Sequence, residues 1–283
     1  MSLKGQSIKI NNLQFNVVIE GKGSPVILLH GFPDSAYIWR EQIKALSGKG
    51  YQVIAPDLRG TGDSEAPPER KKYGIDIICS DIVALMDYLG IEKAQVIGHD
   101  WGAVTGWVFT GKYPERVKCY VALSIGHPRA YRSNSEQLLR GWYTVLFQIP
   151  YIAENSIRAF DWFLLRKLTN NHPEVDHWIE DMNRKGSLSA ALNWYRANEI
   201  HMLFGDFPRI KVPVLGLWST GDIFLSEKQM LLSAKYVDAP WSYERIEGSG
   251  HWIPLDAPKR LNNILIDYLA TEVRNEPRLP YTS

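Results

Sequence analysis

The chain has 283 residues, of which 45% are hydrophobic and 22% charged, and its formal net charge is +1. This composition is typical of a soluble globular protein, and without a basic block it excludes nucleic acid as an electrostatic partner. No run approaches the roughly 18 apolar residues needed to span a membrane, and the start, Met1 to Gly5, lacks a signal-peptide pattern. We therefore expect a cytoplasmic protein with no membrane partner. Cys79 and Cys119 lie in apolar runs and are expected to be small buried residues, not zinc ligands or a disulfide framework.

Strands alternate with helices through the first part of the chain. Residues 8–10 and 13–20 flank an Asn pair and predict a β-hairpin. Continuous apolar runs predict buried strands at 26–29, 51–55, 94–97 and 117–124. Capping residues and helical spacing predict helices at 35–46, 75–89 and 101–112. Such alternation indicates an α/β fold with a mostly parallel sheet and helices on both faces.

The pattern changes at Gly126. No strand is predicted from there to about residue 208, and the helical stretches of this segment carry four of the ten tryptophans, Trp142, Trp162, Trp178 and Trp194. The alternation then resumes, with strands at 212–218 and 241–247 and helices at 226–236 and 256–269. We expect residues 127–208 to form a helical cap (lid) inserted into an eight-stranded core of residues 1–126 and 209–283.

The residues Gly98-His99-Asp100-Trp101-Gly102 join a predicted buried strand to a predicted helix. Gly-x-Asp-x-Gly at such a junction is the nucleophile-elbow pattern, with Asp in the place usually held by Ser. The glycines let the backbone pass close on both sides of a sharp turn that exposes the middle side chain. The helix N-terminus behind Asp100 favours a carboxylate there. Asp100 is the predicted nucleophile, although Asp beside glycines is also ordinary turn chemistry.

A carboxylate nucleophile limits the classes of substrate that the protein can use. It attacks a carbonyl carbon poorly, but it can displace a leaving group at a saturated carbon, which gives an alkyl-enzyme ester. Asp100 therefore indicates epoxides or alkyl halides and argues against ordinary ester hydrolysis. Water must then attack the ester with the help of a base, and the chain order nucleophile, acid, His places that base late in the sequence.

His251 fits that position, because it lies in a Gly-Ser-Gly-His loop after the last predicted strand. Asp222 follows the preceding predicted strand and is the predicted acid that orients the base. The loop at 124–127 holds no competing acid. Of the other histidines, His30 is predicted to be a structural hydrogen-bonding residue, and His99 to point away from the cleft.

Five motifs, in this order and at these spacings, resemble the epoxide hydrolases of the α/β-hydrolase superfamily over roughly residues 8–269. They are His30-Gly31-Phe32-Pro33, Asp57-Leu58-Arg59-Gly60-Thr61-Gly62-Asp63-Ser64, Gly98-His99-Asp100-Trp101-Gly102, Leu192-Asn193-Trp194-Tyr195-Arg196 and Gly248-Ser249-Gly250-His251-Trp252. The resemblance implies an α/β-hydrolase fold and, through Asp100, the branch of the superfamily with an aspartate nucleophile. It also implies a cis peptide bond before Pro33.

Further site residues follow from the same resemblance. The backbone N–H groups of Phe32 and Trp101 are expected to form the oxyanion hole. Epoxide hydrolases use two cap tyrosines as donors to the epoxide oxygen, and the matching residues are Tyr195 and Tyr143, with Tyr151 as the nearest alternative to Tyr143. The residues expected to contact the substrate are Phe32, Trp101, Tyr143, Tyr195 and Trp252.

We therefore expect a hydrolase without cofactor or metal that opens small-molecule epoxides to vicinal diols and acts as a monomer or homodimer. A haloalkane dehalogenase with the same nucleophile stays open as an alternative, although Phe32 offers no side-chain donor for a halide. A third hypothesis is a non-catalytic small-molecule binding protein with the same fold. The intact nucleophile, acid and base argue against that hypothesis.

Overall fold

The computed structural model describes residues 4–275 and contains an eight-stranded sheet. In chain order, the strands are β1 (Gln6–Ile10), β2 (Leu13–Glu20), β3 (Ser24–Leu29), β4 (Tyr51–Pro56), β5 (Ala94–His99), β6 (Val117–Leu123), β7 (Val214–Ser219) and β8 (Trp241–Ile246). Their order across the sheet is β1-β2-β4-β3-β5-β6-β7-β8. β2 pairs antiparallel with β1 and β4, whereas all later neighbours are parallel. The predicted fold class and the predicted hairpin are confirmed.

Helices connect the parallel strands. The α-helices are α1 (Arg40–Ser47), α2 (Ile75–Tyr88), α3 (Trp101–Lys112), α4 (Pro128–Arg132), α5 (Ser135–Arg140), α6 (Tyr143–Phe147), α7 (Ile152–Leu168), α8 (Val175–Asn183), α9 (Ser187–Phe204), α10 (Glu227–Leu232), α11 (Ile253–Asp256) and α12 (Pro258–Asn275). The predicted helix at 35–46 begins as a separate 3₁₀ turn, Ala36–Trp39, capped by the side chain of Ser35. None of the helices between residues 4 and 275 is both long and apolar enough to cross a lipid bilayer.

The middle of the sheet is the core of the protein. Every residue of β5 and β7 is buried, as expected for parallel strands covered by helices. α3 packs against β3, β5 and β6, and its residues 101–110 are all buried. Helix α3 is therefore buried on all its faces, unlike an amphipathic helix, which buries one apolar face and exposes the other. Cys79 and Cys119 are both buried, as predicted.

Between β6 and β7 the chain forms the six helices α4 to α9, and residues 127–208 contain no strand. Side chains of this segment reach loops that follow the central strands. Trp178 Nε1 donates to the Asp34 carboxylate at 2.8 Å, and Trp194 Nε1 donates to the Arg59 carbonyl oxygen at 3.1 Å. These bonds place α8 and α9 over the carboxyl ends of β3 and β4. The division into core and cap stays a prediction, and the predicted core segment 209–283 extends beyond the described residues.

Candidate active site

Asp100 lies at a strained turn between β5 and α3. Its φ is 53° and its ψ is −123°, a conformation that few non-glycine residues adopt. A Cβ at Gly102 would lie 2.0 Å from the Leu29 carbonyl oxygen, and one at Gly98 would lie 2.4 Å from the Gly102 carbonyl oxygen. The turn therefore requires both glycines. It holds the Asp100 side chain beside the loop that follows β3, where a Cβ at Gly31 would meet it at 2.4 Å.

The two carboxylate oxygens of Asp100 have different surroundings. Oδ1 accepts a hydrogen bond of 2.8 Å from the Phe32 backbone N–H, and the Trp101 backbone helps to lower the Asp100 pKa. Oδ2 lies 3.7 Å from Nε2 of His251. One oxygen thus accepts from the expected oxyanion donor Phe32, and the other faces the expected base. The role of Trp101 as the second oxyanion donor stays a prediction. The peptide bond between Phe32 and Pro33 is cis.

His251 is held in place by Asp222. Nδ1 of His251 lies 2.8 Å from Oδ2 of Asp222, and both side chains are buried. The other oxygen of Asp222, Oδ1, accepts hydrogen bonds of 2.9 Å from the N–H groups of Phe224 and Leu225. The carboxylate is therefore fixed at both oxygens. This arrangement keeps Nδ1 protonated toward Asp222 and directs Nε2 toward Asp100.

Burial and neighbouring charges shift the pKa values of His251 and Asp100 in opposite directions. Burial lowers the pKa of His251, but the carboxylates of Asp222 and Asp100 outweigh it and raise that pKa. Burial raises the pKa of Asp100, but the neighbouring His251 outweighs it, so the Asp100 pKa is lowered. The site thus favours an ionised Asp100 beside a protonated His251.

Two phenols line the same cavity as Asp100. Tyr143 begins α6, Tyr195 lies within α9, and burial raises the pKa of both phenols well above the usual value. Tyr195 packs edge-on against Trp101, with ring centroids 5.1 Å apart. Tyr151, the alternative to Tyr143, is 82% exposed. The structure therefore brings Tyr143 and Tyr195, and not Tyr151, to the cavity.

The cavity above Asp100 has two lobes that share Asp100, Tyr143 and Tyr195. The small lobe, of about 30 Å³, extends toward His251 and Trp252. The large lobe, of about 240 Å³, extends between α3, α5, α6 and α9. Every residue predicted to contact the substrate lines at least one lobe, namely Phe32, Trp101, Tyr143, Tyr195 and Trp252. A separate cavity of about 30 Å³ behind Phe32 and Trp101 is not lined by Asp100, Asp222 or His251.

Sequence reasoning missed several wall residues. The small lobe is also lined by Phe147, Leu165, Leu168, Thr169 and Phe224. In the sequence, the apolar residues among them look like ordinary core residues of helices and loops. No sequence signal therefore distinguishes residues that line the cavity from residues of the core. Tyr131 and Glu199 line the large lobe. For Glu199 a signal existed, because it lies four residues after Tyr195, a spacing that places two side chains on one face of a helix.

Two further histidines lie near the site without facing the cavity. The Nε2 atom of His30 accepts a hydrogen bond of 2.9 Å from the Leu58 N–H, and Nε2 of His99 lies 2.9 Å from the carbonyl oxygen of His251. Burial lowers the pKa of both rings. They are therefore neutral groups that hold the surrounding loops. Across residues 4–275 there is no group of three or more His, Cys, Asp or Glu side chains that could bind a metal ion.

Comparison with known proteins identifies the family of this chain. A family model described as alpha/beta hydrolase fold matches residues 24–258. The chain is 33% identical over 285 residues to epoxide hydrolase 3 of Xenopus tropicalis, covering 93% of this chain and 76% of that protein. It is 30% identical over 313 residues to epoxide hydrolase A of Mycobacterium tuberculosis, covering 93% and 96%.

Solved structures give the same assignment. The crystal structure of epoxide hydrolase A from Mycobacterium thermoresistibile matches with a TM-score of 0.82 at 30% identity, covering 94% of this chain and 98% of that chain. An epoxide hydrolase from Bacillus megaterium in complex with an inhibitor matches with a TM-score of 0.84 at 28% identity, covering 94% and 100%. The chain therefore belongs to the α/β-hydrolase fold family, in the group of proteins that are named epoxide hydrolases.

Proposed function

We propose that the protein hydrolyses epoxides to vicinal diols through a covalent ester on Asp100. The observation that carries the proposal is a carboxylate at the elbow, in place of a hydroxyl, that shares one cavity with two phenols and with His251, which Asp222 holds from behind. Relatives named epoxide hydrolases support the same activity. In this proposal residues 127–208 act as a cap that supplies both phenols and covers the elbow.

Ring opening begins with attack by Asp100. Oδ2 is the attacking oxygen, because Oδ1 is engaged by the Phe32 N–H. Oδ2 forms a bond to one ring carbon while the bond from that carbon to the ring oxygen breaks. Tyr143 and Tyr195 donate to the departing oxygen, and one phenol gives it a proton. Because their pKa values are raised, both phenols stay protonated at neutral pH and can act as donors.

Hydrolysis of the ester uses His251. After ring opening, Nε2 gives its proton to the phenol that was ionised in that step, which leaves the imidazole neutral. Nε2 then takes a proton from water, and the water oxygen attacks the carbonyl carbon of esterified Asp100. Negative charge develops on Oδ1, where the Phe32 N–H already lies at hydrogen-bond distance and the Trp101 N–H is the proposed second donor. The bond from the carbonyl carbon to Oδ2 then breaks, and the alkyl oxygen leaves with the remaining proton of the added water, which releases the diol. His251 ends the cycle protonated beside an ionised Asp100, as it began.

Two other functions use the same scaffold. A haloalkane dehalogenase would share the nucleophile but needs N–H donors for the halide, whereas Phe32 has no side-chain donor and the cavity presents phenols. A non-catalytic binding protein has no need of a buried His–Asp pair directed at a strained carboxylate. The cavity therefore favours epoxides over both alternatives.

Substrates and variants together test the proposal. We expect the wild-type protein to convert styrene oxide to its diol and to release no halide from a panel of haloalkanes. Asp100→Ala should abolish diol formation, and His251→Gln should retain the ester, seen as an added substrate mass on the protein. Asp238→Asn, which changes an exposed ion pair, is the matched control. Diol formation that persists unchanged in Asp100→Ala would exclude this mechanism.

A further inference from the structure

The large lobe contains a carboxylate that the proposed reaction does not use. Glu199 lies on α9 four residues after Tyr195, and both residues line the lobe. Four residues of α-helix correspond to a rise of about 6 Å, and side chains at this spacing lie on the same face. A group bound by Glu199 would therefore sit a few bonds away from an epoxide ring held by Tyr195.

Glu199 is half-buried and lacks a protein donor. Within residues 4–275, no hydrogen bond or ion pair joins its carboxylate to another group, and burial raises its pKa without an opposing contribution. The nearby wall is largely apolar and includes Val104, Ile125, Met202, Leu203 and Leu225. A carboxylate in such surroundings leaves its acceptor oxygens for water or for a bound molecule.

Other acids near the phenols are already engaged. Glu154 pairs with Arg196 at 2.7 Å, Asp222 holds His251, and Asp100 accepts from the Phe32 N–H. Among these four carboxylates, Glu199 is the one whose acceptors face the cavity without a donor. Its position and its vacant acceptors both point to recognition of a substrate group.

We infer that the large lobe selects epoxides that carry a hydrogen-bond donor, an ammonium or a hydroxyl group, a few bonds from the ring, and that Glu199 accepts from this donor. The inference rests on the proposed function, because it supposes an epoxide held at Tyr195. The phenol of Tyr131, which lines the same lobe, offers a second polar contact. The charge of Glu199 also repels a substrate carboxylate, which adds discrimination against acids.

The experiment uses four terminal epoxides of equal length that end in ammonium, hydroxyl, methyl or carboxylate. For the wild-type protein we expect kcat/KM to fall in that order, with about tenfold between ammonium and methyl, as is typical of a charge-assisted hydrogen bond. Glu199→Gln should remove the advantage of ammonium over hydroxyl. Glu199→Leu should make methyl the preferred group. Glu180→Gln, an exposed change on α8, should keep the wild-type order.

A binding measurement separates this inference from the proposed function. We would measure by calorimetry the Kd of the matching amino, hydroxyl and methyl diols for the wild-type protein and both Glu199 variants. If the wild-type protein binds the amino diol more tightly than the methyl diol and Glu199→Leu loses this difference, the inference is supported. This holds even if no epoxide is turned over, because a lack of turnover would reject only the proposed reaction. Turnover of all four epoxides with the same preference in wild type and Glu199→Leu would overturn the inference and leave the reaction intact.

Discussion

Replacing Asp222 with Asn removes one charge and keeps the shape of the side chain. In the wild-type protein, Oδ2 of Asp222 accepts from Nδ1 of His251 at 2.8 Å while Oδ1 accepts from two backbone N–H groups at 2.9 Å. An Asn amide has a single oxygen for these three donors. When the oxygen stays with the backbone N–H groups, the NH₂ group faces Nδ1, which must then become an acceptor. The imidazole proton moves to Nε2, and the base loses its free nitrogen.

Two effects determine how much Asp222→Asn slows the hydrolysis of the ester. In a serine protease with the same His–Asp arrangement, the wrong tautomer lowers kcat by about 10⁴. Asp222 also makes the largest contribution that raises the pKa of His251, so its loss weakens the base. We expect ester hydrolysis to slow by about 10³- to 10⁴-fold, which corresponds to about 4 to 5 kcal/mol in activation free energy. Ring opening needs no base and should change by less than about tenfold.

Rapid-quench mass spectrometry separates the two steps, because it measures the ester on the protein and the diol in solution. In Asp222→Asn the ester should accumulate on nearly every molecule while diol release slows. The control Asp238→Asn changes an exposed ion pair with Arg209 and should behave as wild type. Slow diol release without accumulation of ester would refute a role for the His251–Asp222 pair in the second step, and so would an unchanged kcat.

Three shorter predictions concern other parts of the structure. Tyr143→Phe and Tyr195→Phe should each slow ring opening about a hundredfold in single-turnover assays, because each removes a donor to the departing oxygen. Burial raises the pKa of Asp34 from 3.8 to about 7. The folded state therefore binds this proton more tightly than the unfolded state, and unfolding free energy should fall by up to about 4 kcal/mol as pH rises from about 4 to above 7. Asp34→Asn should flatten that slope in thermal unfolding curves. Gly102→Ala places a Cβ 2.0 Å from a backbone oxygen and should destabilise the fold by about 3 kcal/mol or more, whereas Gly74→Ala, whose nearest contact is 3.9 Å, should be tolerated.

Features fixed by local backbone geometry could be predicted from the sequence. The elbow needs glycine on both sides of Asp100 because neighbouring backbone occupies the space of a Cβ, and that requirement is visible as Gly-x-Asp-x-Gly. Buried parallel strands such as β5 and β7 have no polar face, so they are visible as continuous apolar runs. The order of strands and loops then places Asp222 and His251 at the same edge of the sheet as Asp100.

Features fixed by tertiary packing were harder to predict. Tyr143 and Tyr151 are both tyrosines in an aromatic-rich stretch, and only the tertiary structure shows that Tyr143 lines the cavity while Tyr151 is exposed. The wall residues Phe147 and Phe224 come from segments 77 residues apart in sequence, and no local pattern joins them. The sequence shows that Glu199 lies four residues after Tyr195. Whether a hydrogen-bond donor reaches its carboxylate, however, depends on all the elements that surround it.

The two carboxylates that flank His251 act at different stages of the proposed reaction. Asp222 keeps its contact with Nδ1 of His251 in both steps. Asp100 loses its charge when it becomes an ester, and this removes one of the contributions that raise the pKa of His251. That pKa therefore falls when Nε2 has to take a proton from water. Because the Asp100 pKa is lowered, ring opening continues in mild acid, where hydrolysis fails as His251 stays protonated. The fraction of protein trapped as ester should thus rise as pH falls through the His251 pKa of the esterified protein, which lies below the value of about 10 that the two carboxylates together give it. An ester fraction independent of pH, measured in the same rapid-quench assay, would show that Asp100 does not control the charge of its neighbour.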